Sequence, residues 1–274
     1  MSFLGWLVIC TIFGMCGMFC IPLSIYVDRM SEEGRCDGCA HFDNCVALKP
    51  MFGDSNVVSQ FMLFAFFGVK ADCMYCKHIP IYKYFIYLFF NAMLVGILYW
   101  SGEDNPISVV FGISTSMLLA LSVVDWNTQF IPVEYTGVIL ICGLIRLFAD
   151  VSNWWEYVIG LFAVSGFLYI VNIIGTVIMK KRYGEDEIDG VIGDGDIKLM
   201  AATGLLLGWK LNFLALGIGC IAGSVIHVIL MKVKGSEKKL ALGPYLSLGV
   251  YITMICGEQL VGWYLNMVGI TPLQ

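Results

Sequence analysis

An all-α polytopic membrane protein is the fold class this sequence predicts, on three observations. Apolar residues make up 59% of the 274 positions and charged ones 14%, and the mean hydropathy is +0.82, more apolar surface than a soluble domain can hide. The apolar residues gather in runs close to the roughly 20 residues that carry a helix across a hydrocarbon core. Fourteen of the sixteen Lys and Arg residues fall in or beside three polar loops, leaving only Arg146 and Lys210 for the opposite face. A net charge of −5 argues against nucleic acid as a partner.

About eight spans are expected, and the elements follow in order. Phe3–Val27 is long and has no Lys or Arg ahead of it, which reads as a retained first transmembrane helix (residues 1–27) rather than a cleaved signal. Residues 28–81 form the one sizeable polar region, expected as a small cytoplasmic cysteine-rich insertion. Its apolar run Val57–Val69 is short for a crossing and reads as domain core or an interfacial segment. Residues 82–274 form the remaining membrane domain, with spans at Tyr82–Trp100, Ile107–Val124, Tyr135–Phe148, Trp154–Met179, Ile197–Gly208, Leu211–Met231 and Leu242–Val268. Ile197–Gly208 is short and is expected to be tilted or partly sunk into the bundle. An even number of spans puts both termini on one side. The positive loops at Arg29–Lys83, Lys180–Lys198 and Lys232–Lys239 are expected to be cytoplasmic, so that side is outside.

Within the first loop, Cys36-Asp-Gly-Cys39 and Cys73-Met-Tyr-Cys76 form two CxxC knuckles. Four thiolates on two such turns can surround a tetrahedral zinc at about 2.3 Å per bond, closed to water and therefore structural. A reducing cytosol favours metal over disulfides, with a redox dithiol as the other reading. His41 and Cys45 are possible substitute ligands. Cys10, Cys16, Cys20, Cys142, Cys220 and Cys256 lie in spans, where a free Cys is usually a small buried hydrophobe.

Carboxylates at membrane depth are costly and mark function. Asp125 sits where the third span meets the cytoplasmic face and Asp196 where the sixth begins, so both are expected at one depth on one side. Each alone has a bland reading, Asp125 as a snorkelling helix-end residue and Asp196 as a helix N-cap. Together they suit a dyad in which one ionised Asp takes a proton from water while its protonated partner polarises a carbonyl. Gly193 and Gly195 would allow a tight turn and close approach of a substrate strand. The following helix N-terminus would bias Asp196 toward ionisation and the role of base. Lys198 reads either as a positive-inside residue or as a charge partner of the dyad, and Asp189 and Asp194 as solvated loop acids. The Glu185–Asp196 stretch fits a calcium loop poorly, and its glycines follow a span rather than the strand a nucleotide loop requires.

Gly193-Asp-Gly195-Asp196 followed by Ile197-Lys198-Leu199 resembles the GxGD-x-K-L signature of bacterial type IV prepilin peptidases. Asp125 followed by Ile131-Pro132 looks like that family's other aspartate motif. The CxxC pairs ahead of Ile79-Pro80 are similar to its cytoplasmic zinc domain, and Gly17–Arg29 resembles its first-span segment more loosely. The resemblance implies a bifunctional inner-membrane enzyme. It would use Asp125 and Asp196 to cut the basic leader from prepilins or pseudopilins at the cytoplasmic face. It would then N-methylate the new terminus from S-adenosylmethionine, with zinc on Cys36, Cys39, Cys73 and Cys76. Three features depart from the family pattern: Val133-Glu134 after Pro132, a long gap between the knuckles, and the extra Cys45. The acidic run Glu185, Asp186, Glu187 and Asp189 is suitably charged to attract a basic leader. Rival classes are a presenilin-type protease, whose Tyr-Asp and Pro-Ala-Leu motifs are missing here, a carboxylate-lined transporter, and a thiol oxidoreductase. A transporter would spread polar residues toward the midplane, and an oxidoreductase would place its cysteines on the outer side.

Overall fold

The computed structural model describes residues Gly5, Trp6, Val8, Ile9 and Ile12, and positions 81–101, 107–129, 131, 133–183, 190–234 and 241–269. The expected zinc insertion at 28–81 lies outside the described residues except for Ile81, which opens the first helix below. Helices succeed one another as α1 (Ile81–Ser101), α2 (Ile107–Thr128), α3 (Val133–Ala149), a 3-10 turn at Val151–Asn153, α4 (Trp154–Tyr183), α5 (Asp194–Leu207), α6 (Trp209–Lys234) and α7 (Gly243–Val268). No strand occurs among the described residues. This is the pattern that lipid imposes, since a helix satisfies its backbone groups within the segment.

Three stretches, Ile107–Trp126, Val151–Arg182 and Trp209–Ile229, are long and apolar enough to cross a membrane. The described residues are thus those of an all-helical membrane protein. Helices α1, α3, α5 and α7 stand where four further spans were expected. Of these, α5 has 14 residues, a rise of about 21 Å against a hydrocarbon core of about 30 Å. It lies inside the bundle, with Leu199, Met200 and all residues from Ala202 to Leu207 buried. The sunk alternative for the short sixth run is therefore the one the fold adopts.

Helix α5 packs against α3 and α4 on its flanks and against α6 beyond its C-terminus, while α2 closes the bundle between α3 and α7. Close approach depends on small residues, as is usual between membrane helices. A Cβ on Gly160 would overlap the carbonyl oxygen of Gly204, and the converse holds, so α4 and α5 cross backbone to backbone. Gly249 of α7 meets the carbonyl of Ala215 on α6 in the same way. Behind α5, fully buried Asn212 donates to the Met200 carbonyl at 2.8 Å and accepts from the Thr203 hydroxyl at 3.0 Å. Polar groups at this depth are tolerated because they satisfy one another.

Both cations expected on the outer face are met by local partners at one end of the bundle. Lys210 pairs with Glu156 at 2.8 Å. Arg146 lies over the rings of Phe111 and Tyr157, 5.5 and 5.7 Å from their centroids. Hydrogen bonds from Asn153 and Tyr157, helped by the charge of Arg146, hold the Asp150 carboxyl below its usual range.

Candidate active site

At the other end of the bundle three helix termini converge: the C-terminus of α2 and the N-termini of α5 and α7. Helix α2 runs out three residues after Asp125. Gln129 leaves it in the left-handed region at φ 57°, its N–H donating to the Asp125 carbonyl at 2.8 Å. Asp125 thereby occupies the last turn, 4% exposed. Its carboxylate Oδ2 accepts the backbone N–H of Gly243 at 2.9 Å, across 118 residues of chain. Gly243 opens α7, with Pro244 directly behind it. The first N–H groups of a helix have no partner within it, so they offer an anion a donor and a partial positive charge. Only glycine fits at 243, because a Cβ there would stand 2.6 Å from Asp125 Oδ2.

Asp196 is the third residue of α5. Its own N–H is committed to the Gly193 carbonyl at 3.1 Å. Its Oδ1 is buried and has no hydrogen-bond partner. Burial first, and then the negative charge of Asp125, push its carboxyl up from 3.8 to about 7. The two carboxyls are therefore close enough to feel each other. Ile131, buried beside them, separates the two helix starts: a Cβ on Gly195 would come within 2.7 Å of Ile131 Cβ, and one on Gly243 within 3.2 Å of its Cδ1.

Several expectations change in detail. The helix N-terminus that donates to a carboxylate belongs to α7 and serves Asp125, not Asp196, which reverses the expected ionisation bias. Gly193 has an ordinary backbone, φ −64° and ψ 135°; what it provides is space, since its Cβ would lie 3.1 Å from Asp196 Oδ2. Gly195 makes room for Ile131. Lys198 is exposed and forms no ion pair with either aspartate, which fits a positive-inside residue better than a partner of the dyad. Asp194 is exposed, as expected of a loop acid. Cys36, Cys39, Cys73, Cys76, His41, Cys45, Glu185, Asp186, Glu187 and Asp189 lie outside the described residues. Among the described residues, no group of three or more His, Cys, Asp or Glu could hold a metal.

Sequence reasoning missed two contributors, Gly243 and Asn172, and named Ile131 only as part of the Ile131-Pro132 motif. Asn172, on α4, accepts the backbone N–H groups of Val191 and Ile192 at 2.8 and 2.9 Å, just ahead of Gly193. A polar residue inside the apolar run Trp154–Met179 was the available signal. Gly243 left no signal of its own.

The type IV leader peptidase family profile matches residues 112–228, a stretch that contains both aspartates. A protein of Pseudomonas aeruginosa strain PAO1 named prepilin leader peptidase/N-methyltransferase is 26% identical over 214 residues, covering 76% of this chain and 70% of its own. One of the same name from Burkholderia pseudomallei is 30% identical over 198 residues, covering 70% and 61% respectively. That of Aeromonas salmonicida is 25% identical, covering 75% of this chain and 69% of its own length. No solved structure matches. Over residues 112–228, the chain is thus similar to the type IV leader peptidase family.

Proposed function

We propose that this protein cleaves the leader peptide of type IV prepilins or pseudopilins at the cytoplasmic face of a bacterial inner membrane, with Asp125 and Asp196 as an aspartate dyad. The observation that carries this reading is two carboxyls set into one end of the bundle from separate helices, one with a backbone donor and one with a buried oxygen that has no partner. In this mechanism Asp125 is the base. The Gly243 N–H stabilises its charge while it takes a proton from the attacking water. Protonated Asp196 donates to the scissile carbonyl oxygen as the water oxygen bonds to carbon. Collapse of the tetrahedral intermediate breaks the C–N bond. The proton held by Asp125 passes to the leaving amine, and Asp196 recovers its own from the collapsing hydroxyl.

The layout that fits is eight spans with both termini periplasmic. The cysteine-rich insertion would be cytoplasmic, with structural zinc on Cys36, Cys39, Cys73 and Cys76. N-methylation of the new terminus from S-adenosylmethionine is part of the same proposal. It is supported by the names of the relatives, and no residue is assigned to it.

A cleavage assay in membranes with a prepilin-type substrate tests the dyad through Asp125→Asn and Asp196→Asn. Each substitution keeps the size and removes the titratable group. Both variants should insert normally and lose cleavage by about a thousandfold or more, because a dyad acts as a unit. Normal cleavage by either one overturns the assignment and returns the transporter and thiol-redox readings.

A further inference from the structure

We propose that Asn172 is a positioning residue for Asp196, acting through the loop that delivers it. The inference rests on the aspartyl-protease reading above. Asn172 lies inside the span Val151–Arg182, where an unsatisfied amide is costly. Its Oδ1 is occupied by two backbone donors at once, Val191 at 2.8 Å and Ile192 at 2.9 Å. These two residues end the connection between α4 and α5, immediately before Gly193.

The surroundings are shaped for this contact. A Cβ on Gly190 would sit 3.2 Å from Asn172 Oδ1, tight against the accepting atom. A Cβ on Gly175, one turn along α4, would sit 3.1 Å from the Val191 side chain, so the bare helix surface receives Val191. Ile192 packs on the main apolar core. From there the Gly193 carbonyl accepts the N–H of Asp196 at 3.1 Å and of Ile197 at 3.4 Å, which starts α5. A single side-chain oxygen thus ties the middle of a membrane helix to the backbone four or five residues ahead of the acid.

Two donors on one acceptor also specify the chemistry required at 172. Aspartate presents an oxygen in the same place and can accept both N–H groups, whereas leucine fills similar volume and accepts neither. Leucine suits a lipid-embedded helix, so its variant should insert at least as well as the wild type. What it removes is the loop's anchor, and misplacement of a catalytic group lowers turnover more than substrate binding.

The test measures cleavage kinetics of wild type, Asn172→Leu, Asn172→Asp and the control Asp125→Asn in the same membranes. Hydrogen exchange is measured at the Val191 and Ile192 amides of each. Asn172→Leu should lower kcat about tenfold or more with KM within about twofold, and should speed exchange at both amides. Asn172→Asp should restore kcat to within about threefold of wild type and restore the protection. Wild-type kcat in the leucine variant, or equal loss in both variants, overturns the positioning role. Absence of cleavage by the wild type, or full cleavage by Asp125→Asn, overturns the protease reading instead. The amide exchange then decides by itself whether Asn172 anchors the loop.

Discussion

Asp196 and Asp125 are both drawn into the end of the bundle, and they differ in that one of them receives a backbone N–H. Gly243 gives Asp125 a donor at 2.9 Å, whereas Asp196 has a buried oxygen with no partner and a carboxyl pushed up to about 7 by burial and by its neighbour's charge. A consequence for stability follows from proton linkage. Below the ordinary value of 3.8 both the folded and unfolded chains hold this proton. Between 3.8 and about 7 the unfolded chain has lost it while the folded chain keeps it, so the contribution of Asp196 to stability falls as pH rises through that window. Asp196→Asn removes the penalty. Its melting temperature relative to wild type should therefore climb by a few degrees between about pH 4 and pH 7.5 in detergent. A constant difference across that range would show that Asp196 does not titrate near 7. Cleavage by the wild type should also decline above about pH 7, as the acid loses its proton.

At the scale of elements, the site consists of helix ends rather than helix faces. Helix α2 contributes its last turn, α5 its first, and α7 its first N–H, and the three meet because glycine and Ile131 leave no excess volume between them. Gly243→Ala tests this convergence. Its Cβ would stand 2.6 Å from Asp125 Oδ2 and force the carboxylate or the start of α7 to move. Turnover should drop about tenfold or more while the amount of inserted protein stays near wild type, since the α6–α7 contact runs on from Tyr245 and Leu246 to the close approach of Gly249 to Ala215. Full activity in this variant would mean that the Gly243 donor is dispensable. Helix α5 shows why the element can be short: it is enclosed by α3, α4 and α6, so it crosses within the bundle without matching the full hydrocarbon thickness.

For the molecule as a whole, charge sorts the two ends of the bundle. The aspartates share their end with the basic terminus of α4, Lys180–Arg182, and with exposed Lys198. Arg146 and Lys210 sit at the other end with Asp150 and Glu156 as partners. In the proposed layout, the positive-inside preference puts the aspartate end in the cytoplasm. Alkaline phosphatase fused to the C-terminus should then be active, because it folds only outside the cytoplasm. A fluorescent protein that matures only in the cytoplasm should stay dark in the same position. The reverse pattern would invert the topology and place the dyad on the wrong side for a basic leader.

Helical class, the placement of the helices from 81 onward and the two aspartates were all legible in the sequence. Apolar run length, charge segregation and rare carboxylates at membrane depth are properties of local composition, which lipid converts directly into helices and depth. The partners of those aspartates were not legible. Gly243 lies 118 residues from Asp125, and Asn172 lies 19 and 20 residues from the amides it holds. No local pattern encodes which helix N-terminus will face which acid. The sequence alone pointed to Asp196 as the ionised member because a helix begins there. Tertiary packing reversed the bias: a helix N-terminus stabilises the charge its free N–H groups reach, and packing aims the one from α7 at Asp125.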